Sequence, residues 1–373
     1  MEGVELTAES FWKGRRVLVT GHTGFKGGWL SLWLHGLGAK ITGFSSEVPT
    51  KPSLFELARI GDTLNDVRGD IRDAAAMRRA VDECDPEVVF HLAARSIVRE
   101  GYIEPLEFFA TNVVGTATVL DACRAASGLK AIVCVTTDKC YENREWDWPY
   151  REIDALGGRD PYSGSKACVE LAAAAYRSSF FSDASRPVGL ATARAGNVIG
   201  GGDWASDRLL PDLVRAVQAG KPVSIRHPRA TRPWQHVLEP LSGYLALAQA
   251  LSAQPAKFSE AWNFGPDAGG DQPVERVVEE AARILAGRLE VRIDRGDGPH
   301  EAGRLMLDSS KARARLDWRP RLQWLEAVRL TLEWYGQFLR GGAHLRALSE
   351  RQIQDYRGPE GPAAIDRSER GSS

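Results

Sequence analysis

A tyrosine and a lysine four residues apart are candidates for acid–base chemistry. Tyr162 and Lys166 follow Asp160 and Pro161 in the segment DPYSGSK. Asp as an N-cap and Pro at the first helical position predict the start of a helix, whose spacing places both side chains on one face. A free tyrosine, with a pKa of about 10, is a poor base at neutral pH, but the ammonium and the helix N-terminus favour the phenolate. An exposed helix pair would show the same pattern.

A carboxylic acid and an amine stand side by side after a short apolar run. The run AIVCV reads as a buried strand, and it is followed by Thr136, Thr137, Asp138 and Lys139. Because ligands of an open parallel sheet bind beyond the carboxyl ends of its strands, these side chains are expected to face a ligand. Alternatively, Asp138 caps the next turn and Lys139 points into water.

A glycine-rich turn is a candidate dinucleotide site. The strand RVLVT is followed by GHTGFKG and then by a helix-length segment. Glycines there let backbone N–H groups at a helix start approach a pyrophosphate, and the helix dipole favours the anion. Alternatively, the glycines serve only the tight turn between the strand and the helix. The residues of this turn expected to contact the cofactor are Gly21, Thr23, Gly24, Phe25, Lys26 and Gly27.

The residues after the second and third predicted strands favour NAD over NADP. Glu47 lies about 20 residues beyond Gly27, the distance at which an acid usually meets the adenosine ribose, although it is a few residues past the expected strand end. No arginine stands at that strand end to bind a 2′-phosphate. Asp70 and Ile71 are expected to lie against the adenine, although Asp70 could equally cap the following helix.

The elements that would position these groups alternate between strand and helix. Short apolar runs such as EVVFHLAA, AIVCVTT and VGLATARAGNV are separated by helix-length segments at residues 106–126 and 162–181. This alternation predicts an α/β fold with a Rossmann-like, doubly wound parallel sheet. We expect a Rossmann domain at residues 11–195 with a return segment at about 232–258, a smaller, mainly C-terminal substrate-binding subdomain at 196–231 and 259–345, and a disordered tail at 358–373.

Composition argues against several classes of protein. With 48 Lys plus Arg and 49 Asp plus Glu, the chain has no overall positive field for nucleic acid or an anionic membrane. It shows no membrane-length apolar run and no apolar segment of a secretion signal near its start. Five cysteines without C-x-x-C spacing fit reduced thiols in a cytoplasm. His22, His91 and His300 lack metal-ligand spacing, so we expect no metal site.

Together these motifs resemble the short-chain dehydrogenase/reductase superfamily, in its extended branch that acts on nucleotide sugars. The resemblance runs from about Phe11 to about Tyr356 and rests on the glycine motif, HLAA, Asn112, the Thr-rich strand end and PYSGSK. It implies an NAD cofactor that also contacts Ala93 and Ala94. It further implies Tyr162 as base on a sugar hydroxyl, Lys166 on the cofactor ribose, and Thr136 or Thr137 assisting Tyr162. Homodimerisation through the two helix-length segments is the family expectation.

Within that branch, the strand end is similar to that of the 4,6-dehydratases that act on CDP-glucose. The segments TTDKCYEN, RDPYSGSKACVE and RAGNVIGGGDW carry this resemblance, with Asp-Lys where the dTDP-glucose enzymes have Asp-Glu. Such enzymes oxidise sugar carbon 4, eliminate water across carbons 5 and 6, and return hydride to carbon 6. The resemblance implies Asp138 as the acid and Lys139 as the base. Burial would favour both uncharged forms, whereas a tight ion pair would oppose them unless one proton is shared.

The resemblance also implies Asn197, Arg208 and Arg232 as substrate-binding residues. A guanidinium can hold phosphate oxygens of a nucleotide sugar through two hydrogen bonds, although Arg232 in RPWQH could instead be solvated in a turn. Two alternatives remain. A nucleotide-sugar 4-epimerase would release no water, and a non-catalytic dinucleotide-binding sensor would need only the glycine turn.

Overall fold

The computed structural model describes residues 8–183, 185–267, 269–285, 290–293 and 303–358. The strands are β1 Arg16–Thr20, β2 Lys40–Ser45, β3 Asn65–Arg68, β4 Val88–His91, β5 Ala131–Val135, β6 Gly189–Arg194, β7 Val198–Ile199, β8 Val223–Ile225, β9 Thr231–Pro233, β10 Gln235–His236, β11 Ala261–Asn263, β12 Asp271–Pro273 and β13 Val291–Ile293. The helices are α1 Ala8–Trp12, α2 Phe25–Gly36, α3 Leu54–Leu57, α4 Ala74–Cys84, α5 Val98–Ile103, α6 Pro105–Phe109, α7 Gly115–Cys123, α8 Pro161–Phe180, α9 Leu209–Ala219, α10 Leu238–Ala253, α11 Pro255–Phe258, α12 Val274–Ile284, α13 Ser310–Leu316, α14 Trp324–Leu339 and α15 Leu345–Arg357. Within these ranges, no helix is long and apolar enough to cross a membrane.

Seven of these strands form one parallel sheet in the order β11-β6-β5-β4-β1-β2-β3. From β1 the chain builds outward through β2 and β3, and then returns to the other side of β1 with β4. The strand order therefore reverses between β1 and β4, which is where open α/β sheets bind ligands beyond the strand ends. The predicted Rossmann-like, doubly wound sheet is confirmed.

Helices cover both faces of the sheet because successive strand residues point to opposite sides. In β5, Val133 packs into the larger apolar core together with α2, α10 and α14. Its neighbours Ile132 and Cys134 belong to a second core on the other face, formed with α4 and α7. A central strand that is buried on both faces reads as a continuous apolar run, which explains AIVCV.

The helix predicted at residues 106–126 is interrupted. It consists of α6, a π-helical turn at Ala110–Val114, and α7. Asn112 lies in this turn and is buried. Its side-chain oxygen accepts a hydrogen bond from the Arg95 N–H (2.8 Å), and its amide donates to the Ser165 hydroxyl (2.8 Å). The turn thus directs Asn112 toward the segment after β4 and toward α8, as π-bulges at functional sites often do.

The predicted boundary between the two subdomains disagrees with the observed sheet at one strand. Helix α10, in the predicted return segment, packs against β5 and β6. Strand β11 also joins the sheet, although it lies in the range 259–345 that we assigned to the substrate-binding subdomain. The three residues of β11, Ala261–Asn263, therefore belong with the sheet. The rest of the predicted division into subdomains stays a prediction. Of the predicted disordered tail, residues 359–373 lie outside the described residues.

Candidate active site

A cavity of about 1050 Å³ runs along the carboxyl edge of the sheet. Its walls come from the segments that follow β1, β2, β3, β4, β5 and β6, because parallel strands all end at this edge. The predicted site residues that line it are Gly21, Thr23, Gly24, Phe25, Lys26, Gly27, Asp70, Ile71, Ala93, Ala94, Thr136, Thr137, Asp138, Lys139, Tyr162, Lys166, Asn197, Arg208 and Arg232. Residues from distant parts of the chain therefore meet in one cavity.

The three glycines of the turn after β1 differ in whether the fold itself requires a residue without a side chain. Gly21 has a φ of +79°, and a Cβ atom there would lie 2.6 Å from the Ala93 nitrogen. A Cβ atom on Gly27 would overlap the Gly21 carbonyl oxygen. Gly24 has no such conflict, since its Cβ would meet only that oxygen at 3.4 Å. The fold requires Gly21 and Gly27, whereas Gly24 leaves its backbone open to a ligand that approaches closely.

The structure settles the alternative for Asp70. The N-cap of α4 is Asp73, which accepts hydrogen bonds from the N–H groups of Ala75 and Ala76. Asp70 instead accepts from the Arg72 backbone N–H at 2.8 Å and from its guanidinium. Glu47 lies two residues after β2, and its carbonyl accepts a hydrogen bond from the Thr23 hydroxyl at 2.6 Å. Asp70 and Glu47 both line the cavity.

Tyr162 and Lys166 lie in the first turns of α8, as the sequence predicts. Asp160 caps the helix by accepting a hydrogen bond from the Ser163 N–H at 2.9 Å. The Lys166 ammonium donates to the Val135 carbonyl at 3.2 Å, and burial lowers the pKa of Lys166 to about 8. Burial raises the pKa of Tyr162 to about 12, although a hydrogen bond with Thr137 and the charge of Arg208 act in the opposite direction. The predicted lowering of the Tyr162 pKa was wrong for the protein alone, because burial outweighs the positive groups.

The two threonines after β5 have different partners. Thr137 is the one hydrogen-bonded to the Tyr162 side chain. Thr136 instead donates to Glu170 at 2.5 Å. Adjacent strand residues point to opposite sides, so only one of the pair can face Tyr162.

Asp138 opens a 3₁₀ turn, Asp138–Cys140, and its carboxyl is buried. Its Oδ1 atom accepts a hydrogen bond from the Thr137 hydroxyl at 3.0 Å. Its Oδ2 atom is buried and has no hydrogen-bond partner in the described part of the chain. That atom lies against Gly196, where any Cβ atom would overlap it. Asp138 also lines the cavity, and a buried carboxyl oxygen without a protein partner is unusual in a folded protein and calls for an explanation. The neighbouring Lys139 is partly exposed.

A buried ion pair that the sequence did not reveal holds α8 against the sheet. Glu170 and Arg194 are 2.9 Å apart, and both side chains are almost fully buried. Glu170 also accepts hydrogen bonds from Thr136 and Thr192. Burial alone would raise the pKa of Glu170, but Arg194 and these hydrogen bonds hold it below its usual value. The only sequence signal was the position of Glu170, four residues after Lys166 on the same helix face.

The far end of the cavity is basic. Arg232 is buried in β9 and donates to the Thr231 carbonyl at 3.0 Å, and Arg208 immediately precedes α9. The sequence did not reveal a second charged group, in which Asp207 pairs with Arg226 at 3.2 Å and with Arg99 at 3.6 Å. These three residues also line the cavity. Several guanidinium groups at one end suit an anionic ligand such as a diphosphate.

Lys26 of the glycine turn also lines the cavity. Burial, together with the charges of Arg208 and Lys166, lowers its pKa to about 7. Asp138 and Asp203 act in the opposite direction, which places the Lys26 ammonium within electrostatic reach of the acid after β5. Lys26 therefore lies close to charged groups that follow both β1 and β5.

Of the three histidines that could have been metal ligands, His22 and His91 lie in the described residues, and both have hydrogen-bond partners within the protein. His91 is buried between the hydroxyls of Thr20 (2.7 Å) and Thr116 (2.8 Å), and burial lowers its pKa to about 3. His22 contacts Asp66 at 2.8 Å and Ser45 at 3.0 Å. His300 lies outside the described residues. No group of three or more His, Cys, Asp or Glu in the described ranges could hold a metal ion.

The fold and the site define a nucleotide-sugar enzyme of the extended short-chain dehydrogenase/reductase type. Its features are the Rossmann-like sheet, the helix with Y-x-x-x-K, and a cavity lined in part by several arginines. The family described as GDP-mannose 4,6 dehydratase matches residues 18–331, and the chain belongs to this family. The CDP-glucose 4,6-dehydratase of Salmonella typhimurium is 49% identical over 351 residues, which are 93% of this chain and 98% of that protein. A dTDP-glucose 4,6-dehydratase of Xanthomonas campestris pv. campestris is 26% identical over 342 residues, 85% and 92% of the two chains.

Solved structures share the fold at lower identity. The dTDP-glucose 4,6-dehydratase of Streptomyces venezuelae, solved with NAD bound, superposes with a TM-score of 0.75 at 24% identity, covering 88% of this chain and 99% of that one. The UDP-glucose 4-epimerase of Thermotoga maritima, solved with UDP-glucose, also has a TM-score of 0.75 at 21% identity, covering 87% and 99%. Dehydratases and epimerases thus share this architecture, and the fold alone does not distinguish them.

The glycine turn leads to a first prediction. Gly24→Ala should leave the free energy of unfolding within about 1 kcal/mol of wild type, because the added methyl meets no close neighbour. It should weaken NAD binding at least tenfold, because the methyl keeps a pyrophosphate from the backbone. Gly27→Ala is the matched control and should cost about 2 kcal/mol or more through overlap with Gly21. Denaturant unfolding and calorimetric titration with NAD measure both; undiminished NAD affinity in Gly24→Ala would contradict the assignment.

Proposed function

We propose that this protein is an NAD-dependent lyase that converts CDP-D-glucose to CDP-4-dehydro-6-deoxy-D-glucose and water. The observation that carries the proposal is the position of Asp138 and Lys139 in one cavity with Tyr162 and Lys166. The 49% identity to the CDP-glucose 4,6-dehydratase of Salmonella typhimurium over nearly the whole chain supports it. The product would feed deoxysugar synthesis.

The cavity residues fit NAD. Gly24 leaves the backbone at the start of α2 open to the pyrophosphate, Glu47 and Asp70 stand at the adenosine end, and Ala93 and Ala94 line the cavity beyond β4. No arginine lies among residues 45–47 to bind a 2′-phosphate, which favours NAD over NADP. When bound, NAD accepts hydride from sugar carbon 4 and later returns it to carbon 6, and its positive nicotinamide favours the Tyr162 phenolate.

Oxidation at carbon 4 requires a base on the sugar hydroxyl. Tyr162 takes this role, and its hydrogen bond with Thr137 favours the phenolate. Lys166 is held by the Val135 carbonyl and contacts the cofactor ribose. The Tyr162 phenol keeps its proton in the protein alone, so the ionisation that catalysis needs depends on the positive charge that the ligands bring.

Elimination across carbons 5 and 6 requires an acid and a second base. Asp138 protonates the departing carbon 6 hydroxyl, and its unpartnered Oδ2 atom is the oxygen available for this contact. Lys139 removes the proton from carbon 5, which the carbonyl at carbon 4 has made acidic, and afterwards returns it. The nucleotide sugar is held by Arg208 and Arg232 on its diphosphate and by Asn197, all of which line the same cavity.

The two alternative functions account for fewer of the polar residues in the cavity. A 4-epimerase needs the redox pair but neither Asp138 nor Lys139, and a dinucleotide-binding sensor needs only the glycine turn. The buried, unpartnered carboxyl oxygen of Asp138 has no function in either alternative.

The surface of α5 to α8 suits a second copy of the chain. Ile103 is 79% exposed and Leu106 82% exposed, and Val114 and Leu171 are also exposed on this helical surface. We propose that a homodimer buries these side chains across a two-fold axis. The free cysteines of the described chain are compatible with the cytoplasm, which we propose as the compartment.

The dimer is tested by charge substitution on that surface. The double variant Leu106→Glu, Leu171→Glu should sediment as a monomer at concentrations where the wild type is dimeric, because two carboxylates would be buried at the interface. Ile153→Glu is the matched control, since Ile153 is equally exposed at 82% but lies in the non-helical segment between α7 and α8 rather than in one of these helices. A monomeric wild type in sedimentation equilibrium, or an unchanged double variant, would contradict the interface.

The activity is tested with a panel of nucleotide sugars. Protein supplied with NAD and CDP-glucose should release a 4-keto-6-deoxy sugar nucleotide, with much slower conversion of dTDP-, UDP- and GDP-glucose. Lys139→Ala should still oxidise carbon 4 but stall before elimination, so that NADH absorbance appears on mixing and persists. Asp138→Asn should lower product formation by about 10²–10⁴-fold, because the leaving hydroxyl loses its acid.

The control for these variants is the amount of NADH formed in the first turnover. If Lys139→Ala loses oxidation and elimination to the same extent, Lys139 is structural. Recovery of the galacto epimer from wild type would overturn the dehydratase assignment in favour of the epimerase, and unchanged sugar would favour the sensor.

A further inference from the structure

The proposed reaction leaves two buried side chains with altered proton counts. Tyr162 gains the proton of the carbon 4 hydroxyl, and Asp138 loses a proton to the departing water. Lys139 takes a proton from carbon 5 and gives it back, so its count is unchanged. After each turnover Tyr162 therefore carries one proton more, and Asp138 one proton fewer, than the next turnover requires.

Bulk solvent has poor access to either group. Asp138 is 1% exposed and Tyr162 is 8% exposed even in the protein alone. The one carboxyl oxygen of Asp138 that has a protein partner is turned toward Thr137, which is itself only 5% exposed. A proton path inside the protein would therefore be shorter than one through water.

Thr137 lies between the two groups. Its hydroxyl is 3.0 Å from Asp138 Oδ1, and it is also hydrogen-bonded to the Tyr162 side chain. A threonine hydroxyl has one proton to donate and two lone pairs that accept, so it can accept a hydrogen bond from one neighbour while donating to the other. It cannot donate to both at once. When the Thr137 hydroxyl donates to Asp138, its oxygen can accept a hydrogen bond from Tyr162.

We propose that Thr137 relays one proton from Tyr162 to Asp138 between successive turnovers. This inference rests on the roles of Tyr162 and Asp138 proposed above. The Tyr162 O–H bond breaks as its proton bonds to Thr137 Oγ1, while the Thr137 O–H bond breaks as its proton bonds to Asp138 Oδ1. Tyr162 becomes the phenolate, Asp138 becomes the carboxylic acid, and Thr137 ends with one proton as it began. The total charge of the three groups is unchanged.

The surroundings determine when the proton moves. Arg208 favours the Tyr162 phenolate, whereas Asp138, Asp160 and burial favour the phenol. Burial dominates in the protein alone, so the proton rests on Tyr162. A positive charge brought by a bound ligand would favour the phenolate, so the proton would move after the next ligands have bound. A direct relay keeps the charge of this enclosed region constant throughout.

The neighbouring threonine provides a matched control. Thr136 also carries a hydroxyl at the end of β5, but it donates to Glu170 and so lies outside the proposed path. Thr136→Val and Thr137→Val make the same chemical change one residue apart. Thr137→Ser keeps a hydroxyl at the relay position and removes only a methyl group.

The experiment follows protons and product together. NAD-loaded protein is mixed with CDP-glucose in a stopped-flow instrument, in weak buffer that contains a pH-indicator dye. Wild type and Thr137→Ser should form product over successive turnovers without a proton transient. Thr137→Val should release a proton from Tyr162 and take one up at Asp138 through solvent at different rates, giving a transient of up to one proton per site. Its turnover should fall at least tenfold and rise with imidazole concentration at constant ionic strength.

The outcomes separate the relay from the proposed function. Thr136→Val should show no transient, whatever its turnover, because the Thr136 hydroxyl that it removes is bound to Glu170 and lies outside the relay. A transient in this variant would contradict the relay. A proton transient in the wild type, or a slowed Thr137→Val that shows neither a transient nor a response to imidazole, overturns the relay while the product confirms the dehydratase. Failure of the wild type to form a dehydrated product overturns both. The wild-type trace decides the matter even if Thr137→Val does not fold.

Discussion

The ion pair between Glu170 and Arg194 is the interaction on which the site geometry depends. It joins α8, which carries Tyr162 and Lys166, to the end of β6, and through Thr136 it also reaches the end of β5. Breaking a buried pair by removing one partner usually costs about 3–5 kcal/mol, because the remaining charge is left without compensation. The pair therefore fixes the helix with the redox residues against the strand with the acid and the base.

This arrangement explains why one cavity can combine two kinds of chemistry. In the proposed function, the glycine turn and α8 supply the site for hydride transfer. Asp138 and Lys139 would add the elimination, because β5 is a central strand that ends beside both α8 and β6. Gly196 after β6 leaves the space that the Asp138 carboxyl occupies.

The sequence predicted the sheet and the cavity lining well because both depend on local patterns. Apolar runs marked the strands, and parallel strands must bring their carboxyl ends to one edge. Interactions between distant residues were not predictable in this way. The π-helical turn at Asn112 depends on Arg95 and Ser165, the choice between Thr136 and Thr137 depends on Glu170, and the raised pKa of Tyr162 depends on burial by the whole fold.

The central claim is that one bound cofactor oxidises carbon 4 and reduces carbon 6 of the same sugar, with water lost between the two steps. The most direct measurement uses CDP-glucose that carries deuterium at carbon 4, with product analysed by NMR and mass spectrometry. The account predicts that deuterium appears in the methyl group at carbon 6 of the same molecule. Deuterium that stays at carbon 4, or that is lost to solvent, would contradict it.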